Sequence, residues 1–185
     1  MDTNHPIEVP YRLRKFPLWK GKYVIHYTVM IDPETAEPNF RVVDDAHRLQ
    51  CSFRNWCHLC GEPLGRHMCF IGGPNSIKNR TFFDGPMHTD CAQYAAKVCP
   101  YLALSKEWVE RPIKDMPGTL MHEVPESATG RPAKMGVLYC DSYNPIKVQR
   151  PDGSLEVFFR AGEPTRIDWT LMPEREVTGE RPGIP

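Results

Sequence analysis

Hydrophobic residues along this chain fall in short runs separated by polar, proline-rich stretches. Residues 22–31 are rich in β-branched and aromatic side chains, which predicts a strand stopped by Asp32-Pro33. Phe40-Arg41-Val42-Val43 supplies a short partner strand. The intervening Pro33-Glu34-Thr35-Ala36-Glu37-Pro38 is turn-forming, so a hairpin is expected. Helical spacing is best developed over 88–103, where Cys91, Ala92, Ala95, Val98, Cys99 and Leu102 share one face. Pro86 precedes that helix. Cys99-Pro100 ends or bends it, because a residue before proline avoids the helical region. Strands return at 136–140, at 146–149 with 155–160, and over 166–171, where polar and apolar residues alternate. The Asp152-Gly153 pair supplies the positive-φ positions of a tight turn between the middle two, a second expected hairpin.

Composition narrows the fold class. The chain has 185 residues and 19 prolines, about twice the usual share of roughly 5%. Each interior proline limits helix length, so an all-helical bundle is not expected. Charge balances, with 23 Lys+Arg against 23 Asp+Glu, which argues against holding nucleic acid by bulk positive charge. The N-terminus lacks the basic and apolar regions of a secretory signal. The apolar run at 23–31 contains His26 and is too short to span a bilayer, so no membrane association is expected. Seven cysteines, an odd number, fit a reducing cytoplasm with some of them as thiolate ligands rather than a disulfide framework.

The cysteine spacing carries the clearest chemistry. Cys57-His58-Leu59-Cys60-Gly61 is followed, 28 positions after Cys60, by His88-Thr89-Asp90-Cys91. A Cys-x2-Cys turn brings two thiolates to one ion, and Gly61 lets the chain fold behind the second. His88 and Cys91, three apart at the mouth of the predicted helix, lie on one face of its first turn. Three thiolates and an imidazole suit one tetrahedral, structural Zn²⁺ in a closed site. A knuckle, a hairpin through roughly 66–83, and a helix carrying the second ligand pair make up a treble-clef zinc finger. Cys69, inside the expected hairpin, competes for a ligand place; Cys51 competes less. Cys99 and Cys140 read as buried apolar residues, His58 as exposed, and His67 stays ambiguous.

Other catalytic patterns fail. Four protein ligands leave no open position for water. The His-x-Glu and Pro-Cys-x-x-Cys of base deaminases are absent. No Asp-His or His-His pair precedes the helix, as an HNH-type nuclease scaffold would need. Gly-x-Ser-x-Gly, Walker and Gly-x-Gly-x-x-Gly patterns are also missing. No catalytic residue is assigned, and a non-enzymatic protein is expected.

Two stretches offer partner contacts. Lys78, Asn79 and Arg80 follow a Gly72-Gly73 pair that can present backbone N–H groups to an anion. Arg12, Arg14 and Lys15 interleave with aromatics, as on single-stranded nucleic-acid surfaces, or belong to an arm pinned on the core by Phe16 and Trp19.

Several segments together resemble a family of uncharacterised bacterial and bacteriophage proteins. They are Gly21-Lys22-Tyr23-Val24-Ile25, Pro38-Asn39-Phe40-Arg41-Val42, Cys57-His58-Leu59-Cys60-Gly61-Glu62-Pro63-Leu64-Gly65, Phe70-Ile71-Gly72-Gly73-Pro74 and Asn79-Arg80. His88-Thr89-Asp90-Cys91-Ala92-Gln93-Tyr94-Ala95-Ala96, Cys99-Pro100-Tyr101-Leu102, Phe159-Arg160-Ala161-Gly162-Glu163-Pro164 and Trp169 extend the likeness. The chain departs from the family pattern after Pro74 and before His88, and neither departure touches the four expected ligands. The resemblance implies a bacterial or viral origin and brings no activity with it.

The expectation is one zinc-stabilised α+β domain with antiparallel strands from both termini. Its parts are an N-terminal arm (1–22), a zinc-finger core (51–104), a long loop (105–134), C-terminal strands (135–172) and a tail (173–185). A host or viral protein is the expected partner, with nucleic acid as the alternative and a metal-dependent nuclease as a weaker one.

Overall fold

The computed structural model of the protein describes residues 7–99, 102, 134–149, 151, 153 and 155–169. The expected loop at 105–134 lies outside these residues apart from Lys134, as does the tail.

Among the described residues, ten strands form antiparallel sheets, accompanied by three α-helices and a short 3-10 turn at Tyr11–Leu13. β1 (Leu18–Trp19) pairs with β2 (Tyr23–Val24), and β3 (Val29–Ile31) with β4 (Pro38–Val43). The single strand expected over 22–31 is therefore two. At its centre the backbone turns to other partners: Ile25 N–H donates to Pro17 and Tyr27 N–H to Leu59, both at 2.9 Å. The β3–β4 hairpin forms around the turn expected at 33–38.

α1 (Asp45–Arg54) was not expected. Asp44 caps it by accepting the His47 N–H at 2.9 Å, and Asn55 ends it in the left-handed region, which Asn tolerates. β5 (Met68–Gly72) and β7 (Gly136–Cys140) are buried along their whole length, as continuous apolar strands should be. They pair in register from Met68 opposite Cys140 to Gly72 opposite Gly136, and β10 (Pro164–Asp168) joins the other edge of β7. β8 (Tyr143–Gln149) and β9 (Leu155–Ala161) form the expected C-terminal hairpin, and β6 (Thr81–Phe82) adds to β9.

α3 (Thr89–Val98) packs against β5. It stops at Cys99, whose backbone is extended (φ −60°, ψ 120°) ahead of Pro100. Phe70 of β5 stacks on Phe82 of β6 at 4.8 Å and meets Tyr143 of β8, which touches Phe159 of β9. These rings join the β10-β7-β5 sheet to the β6-β9-β8 sheet. Leu13 belongs to the same core, and Phe16 packs against it.

The hairpin expected through roughly 66–83 is not made by those residues. β5 pairs with β7 and β6 with β9, while α2 (Pro74–Asn79) occupies the intended turn. The chain returns to β5 later, at Met87, which exchanges both backbone hydrogen bonds with Cys69 at 2.9 Å. That single bridge sets His88 beside β5.

Candidate metal centre

Cys57, Cys60, His88 and Cys91 come together as one buried group whose ligand atoms all lie within 4.8 Å of one another. Local backbone explains the convergence. Gly61 N–H donates to Cys57 C=O and Cys57 N–H to Glu62 C=O, both at 2.8 Å, closing the knuckle. Gly61 stands at φ 67°, and a Cβ there would lie 2.7 Å from the Tyr27 ring. The residue must therefore be glycine for conformation and for space. His58 N–H donates to Pro86 C=O at 3.1 Å, joining the knuckle to the segment that leads into α3. His88 is the N-cap residue of α3, and Cys91 lies in its first turn.

The donor set fits a tetrahedral cation. Metal–sulfur and metal–imidazole bonds of about 2.3 and 2.0–2.1 Å imply a sulfur–nitrogen edge of roughly 3.5 Å. The Cys60 Sγ to His88 Nδ1 separation is 3.4 Å. The other imidazole nitrogen, Nε2, lies 3.0 Å from the Pro63 carbonyl oxygen. With the proton donated there, the Nδ1 lone pair faces the thiols. Three thiolates and an imidazole are the donors that Zn²⁺ favours.

Thiol energetics point the same way. Burial opposes ionisation of Cys57. Hydrogen bonds from the Cys60 and Cys91 thiols and from the Cys60 and His88 backbone N–H groups outweigh it and hold its pKa well below the ordinary value. Cys91, donating first to Cys57 and then to Cys60, has its pKa raised. The Cys60 hydrogen bond raises that of His88. One thiolate is favoured at the expense of its neighbours, and a bound dication supplies the charge that lets all three ionise together.

The spare cysteines stay outside. The Cys69 thiol donates to Met87 C=O at 3.5 Å, and burial pushes its pKa up to about 12. Cys51 donates to Cys57 C=O at 3.8 Å and is likewise pushed to about 12 by burial. Cys140 is buried and Cys99 half-buried, and none of the seven cysteines forms a disulfide.

His58 corrects the sequence expectation of exposure: it is buried. Its Nδ1 accepts the Gly85 N–H at 2.9 Å, and a side chain on Gly85 would overlap the ring. The ring stands edge-on to Phe159 at 4.9 Å. His67 is exposed and pairs with Asp141 at 2.7 Å.

Burial also drives the His26 imidazole pKa down to about 4 and that of His58 to about 3. Both are neutral when folded at pH 7. The unfolded chain protonates them near 6.5 and the folded chain does not, so their stabilisation is complete above that pH. It is lost as pH falls towards 4, by up to about 1.4 kcal/mol per unit for each histidine. His26→Gln is therefore expected to remove about that much from the stability slope between roughly pH 5 and 6.5, measured by urea unfolding. An unchanged slope would show that His26 titrates normally in the folded protein.

The expected partner residues fall in two separate places. Arg12 and Lys15 grip the knuckle: both donate to Glu62, at 2.7 and 2.8 Å, and Arg12 also approaches Asp90 of α3 at 3.8 Å. Hydrogen bonds from Lys15 and then Arg12 outweigh burial and hold Glu62 below the usual carboxylate range. Arg14 pairs with Glu8 at 2.7 Å. Lys78 and Asn79 end α2 as exposed residues, and Arg80, its left-handed C-cap, pairs with Glu163. Comparison with known protein families, curated proteins and solved structures finds no match to this chain. Among the described residues, no helix is long and apolar enough to cross a membrane.

Proposed function

We propose that this chain is a non-enzymatic, zinc-stabilised binding protein of treble-clef type, encoded by a phage or its bacterial host, that acts on a host or viral protein in the bacterial cytoplasm. The observation that carries this reading is the closed ligand group. Four buried protein donors lie within 4.8 Å of one another, so every tetrahedral position is filled from the chain. A metal held this way organises structure and offers no place for substrate. The Cys69–Met87 bridge supports the treble-clef assignment: the return strand of the finger is the segment entering α3, with α2 and β6 inserted before it.

A protein partner is favoured over nucleic acid because four of the five candidate bases, all but Lys78, face the chain's own acids. Arg12 and Lys15 are engaged by Glu62, Arg14 by Glu8 and Arg80 by Glu163. The test is affinity capture from nuclease-treated bacterial lysate with the zinc-loaded protein, read by mass spectrometry. A protein retained by the wild type and lost on metal removal supports the proposal. Two outcomes would overturn it: a low-salt nucleic-acid complex that weakens steeply with salt, or Mg²⁺- or Mn²⁺-dependent cleavage of DNA or RNA.

A further inference from the structure

Away from the metal, a cavity of about 240 Å³ opens between β1 and the β3–β4 turn. Trp19 and Phe40 supply aromatic surface, Asp32 and Glu37 supply carboxylates, and no basic residue lines it. The ring centroids of Trp19 and Phe40 lie 5.7 Å apart at 49°, and Tyr23 contacts both, at 6.1 and 6.0 Å. The rings therefore brace one another. The turn that carries the acids is also held by hydrogen bonds. Asp32 N–H donates to Glu37 C=O and Ala36 N–H to Asp32 C=O, while the Asp32 carboxylate accepts the Glu34 and Thr35 N–H groups.

This aromatic cluster already attracts cations from the chain itself. The Lys20 ammonium lies 4.2 Å from the Trp19 ring centroid, and that of Lys22 lies 5.1 Å from the Tyr23 centroid. Neither lysine lines the cavity. Aromatic faces attract cations through the ring quadrupole, most strongly for Trp and most effectively for weakly hydrated cations. Nearby carboxylates add Coulomb attraction. Size bears on how much of this open depression a cation covers. A bare ammonium is about the size of a water molecule, whose share of liquid is roughly 30 Å³, and would leave most of the cavity to solvent. A methylated ammonium fills more of it.

We propose that this cavity binds a quaternary ammonium group, presented by a methylated lysine side chain of the partner protein. The source of the ligand rests on the protein-partner reading above; the chemistry of the cavity does not. The probes are choline, its uncharged isostere 3,3-dimethylbutan-1-ol, and a short peptide containing trimethyl-lysine. Binding is followed through the Trp19 indole resonance by NMR on the intact zinc-loaded protein.

Choline is expected to shift that resonance, and the isostere to bind roughly 3- to 30-fold more weakly, the range that cation–π attraction supplies. Trp19→Leu removes the reporter ring, so this variant is followed by isothermal titration calorimetry, in which choline binding should be lost. Glu37→Gln, at an exposed turn position, should weaken choline about 2- to 5-fold with the fold intact. Tighter binding of the peptide than of choline supports a protein source, and equal affinity overturns that source in favour of a free quaternary amine. Equal binding of choline and its isostere, or shifts that map away from Trp19, would overturn the site. Choline binding without any captured protein would sink the partner reading alone, so the two fail separately.

Discussion

Cys91→Ser, or removal of the metal by a chelator, is expected to unfold the part of the molecule that the knuckle and α3 organise. Structural Zn²⁺ in small domains is worth about 10–16 kcal/mol of apparent binding energy at neutral pH. A whole domain is usually stable by only about 5–15 kcal/mol. The ligand-bearing backbone depends on the ion most directly: the knuckle is closed by a few backbone hydrogen bonds, and His88 is set by one bridge to β5, while α3 also packs its buried face on the core. Loss of the ion also restores the competition among three buried thiols for one negative charge. Far-UV circular dichroism during chelator titration should show cooperative loss of helix signal, recovered by added Zn²⁺. Cys99→Ser, outside the ligand group, should behave as wild type and serves as the control. Elemental analysis of the purified protein should find one zinc per chain. A value well below one would overturn the zinc assignment, and a chelated protein with its helix content intact would overturn the structural role.

The legible part of this fold is the part whose chemistry is local. The two ligand pairs are each within one turn, so their spacing alone places them on one ion. The reach of α3 was readable because its apolar residues do face the core, with Cys91, Ala92, Tyr94, Ala95 and Ala96 buried. Asp152-Gly153 marked the β8–β9 connection for a similarly local reason. α1 was missed because its buried positions are Arg48, Cys51 and Ser52, which give no apolar stripe. Its readable signals were the Asp44 cap and the absence of proline between Asn39 and Glu62. The hairpin expected through roughly 66–83 was misplaced for a different reason. Phe82-Phe83 looks like the returning strand, but β6 pairs with β9, from the far end of the chain, and β5 is met instead by a lone residue pair, Cys69 with Met87. The β5–β7 pairing is equally non-local, and no sequence periodicity records which fully buried strand meets which.

The helix the pattern missed carries the second large expected effect. Arg48 of α1 is only 2% exposed. Its guanidinium lies 3.7 Å from the Phe83 ring centroid, donates to Val157 C=O of β9, and reaches Asp45 at 3.3 Å. Burial lowers its pKa, and the charges of Asp45, Asp84 and Glu156 work against that shift. Since an arginine stays protonated in a protein, the charge is kept and its surroundings must compensate it. Arg48→Ala removes the stacking on Phe83, leaves the Val157 carbonyl without this donor and opens a cavity between α1 and β9. The expected loss is about 3–5 kcal/mol, read as a lower urea midpoint at unchanged slope in the zinc-loaded protein. Arg48→Met separates packing from charge. It restores bulk over Phe83 and avoids desolvating a cation, so it should lose distinctly less than alanine. Arg48→Lys keeps the charge but lacks the planar fork that stacks and hydrogen-bonds together, and should fall nearer alanine than methionine. A loss below about 1 kcal/mol for alanine would mean that α1 is held without Arg48. Methionine as damaging as alanine would assign the contribution to hydrogen bonding rather than packing.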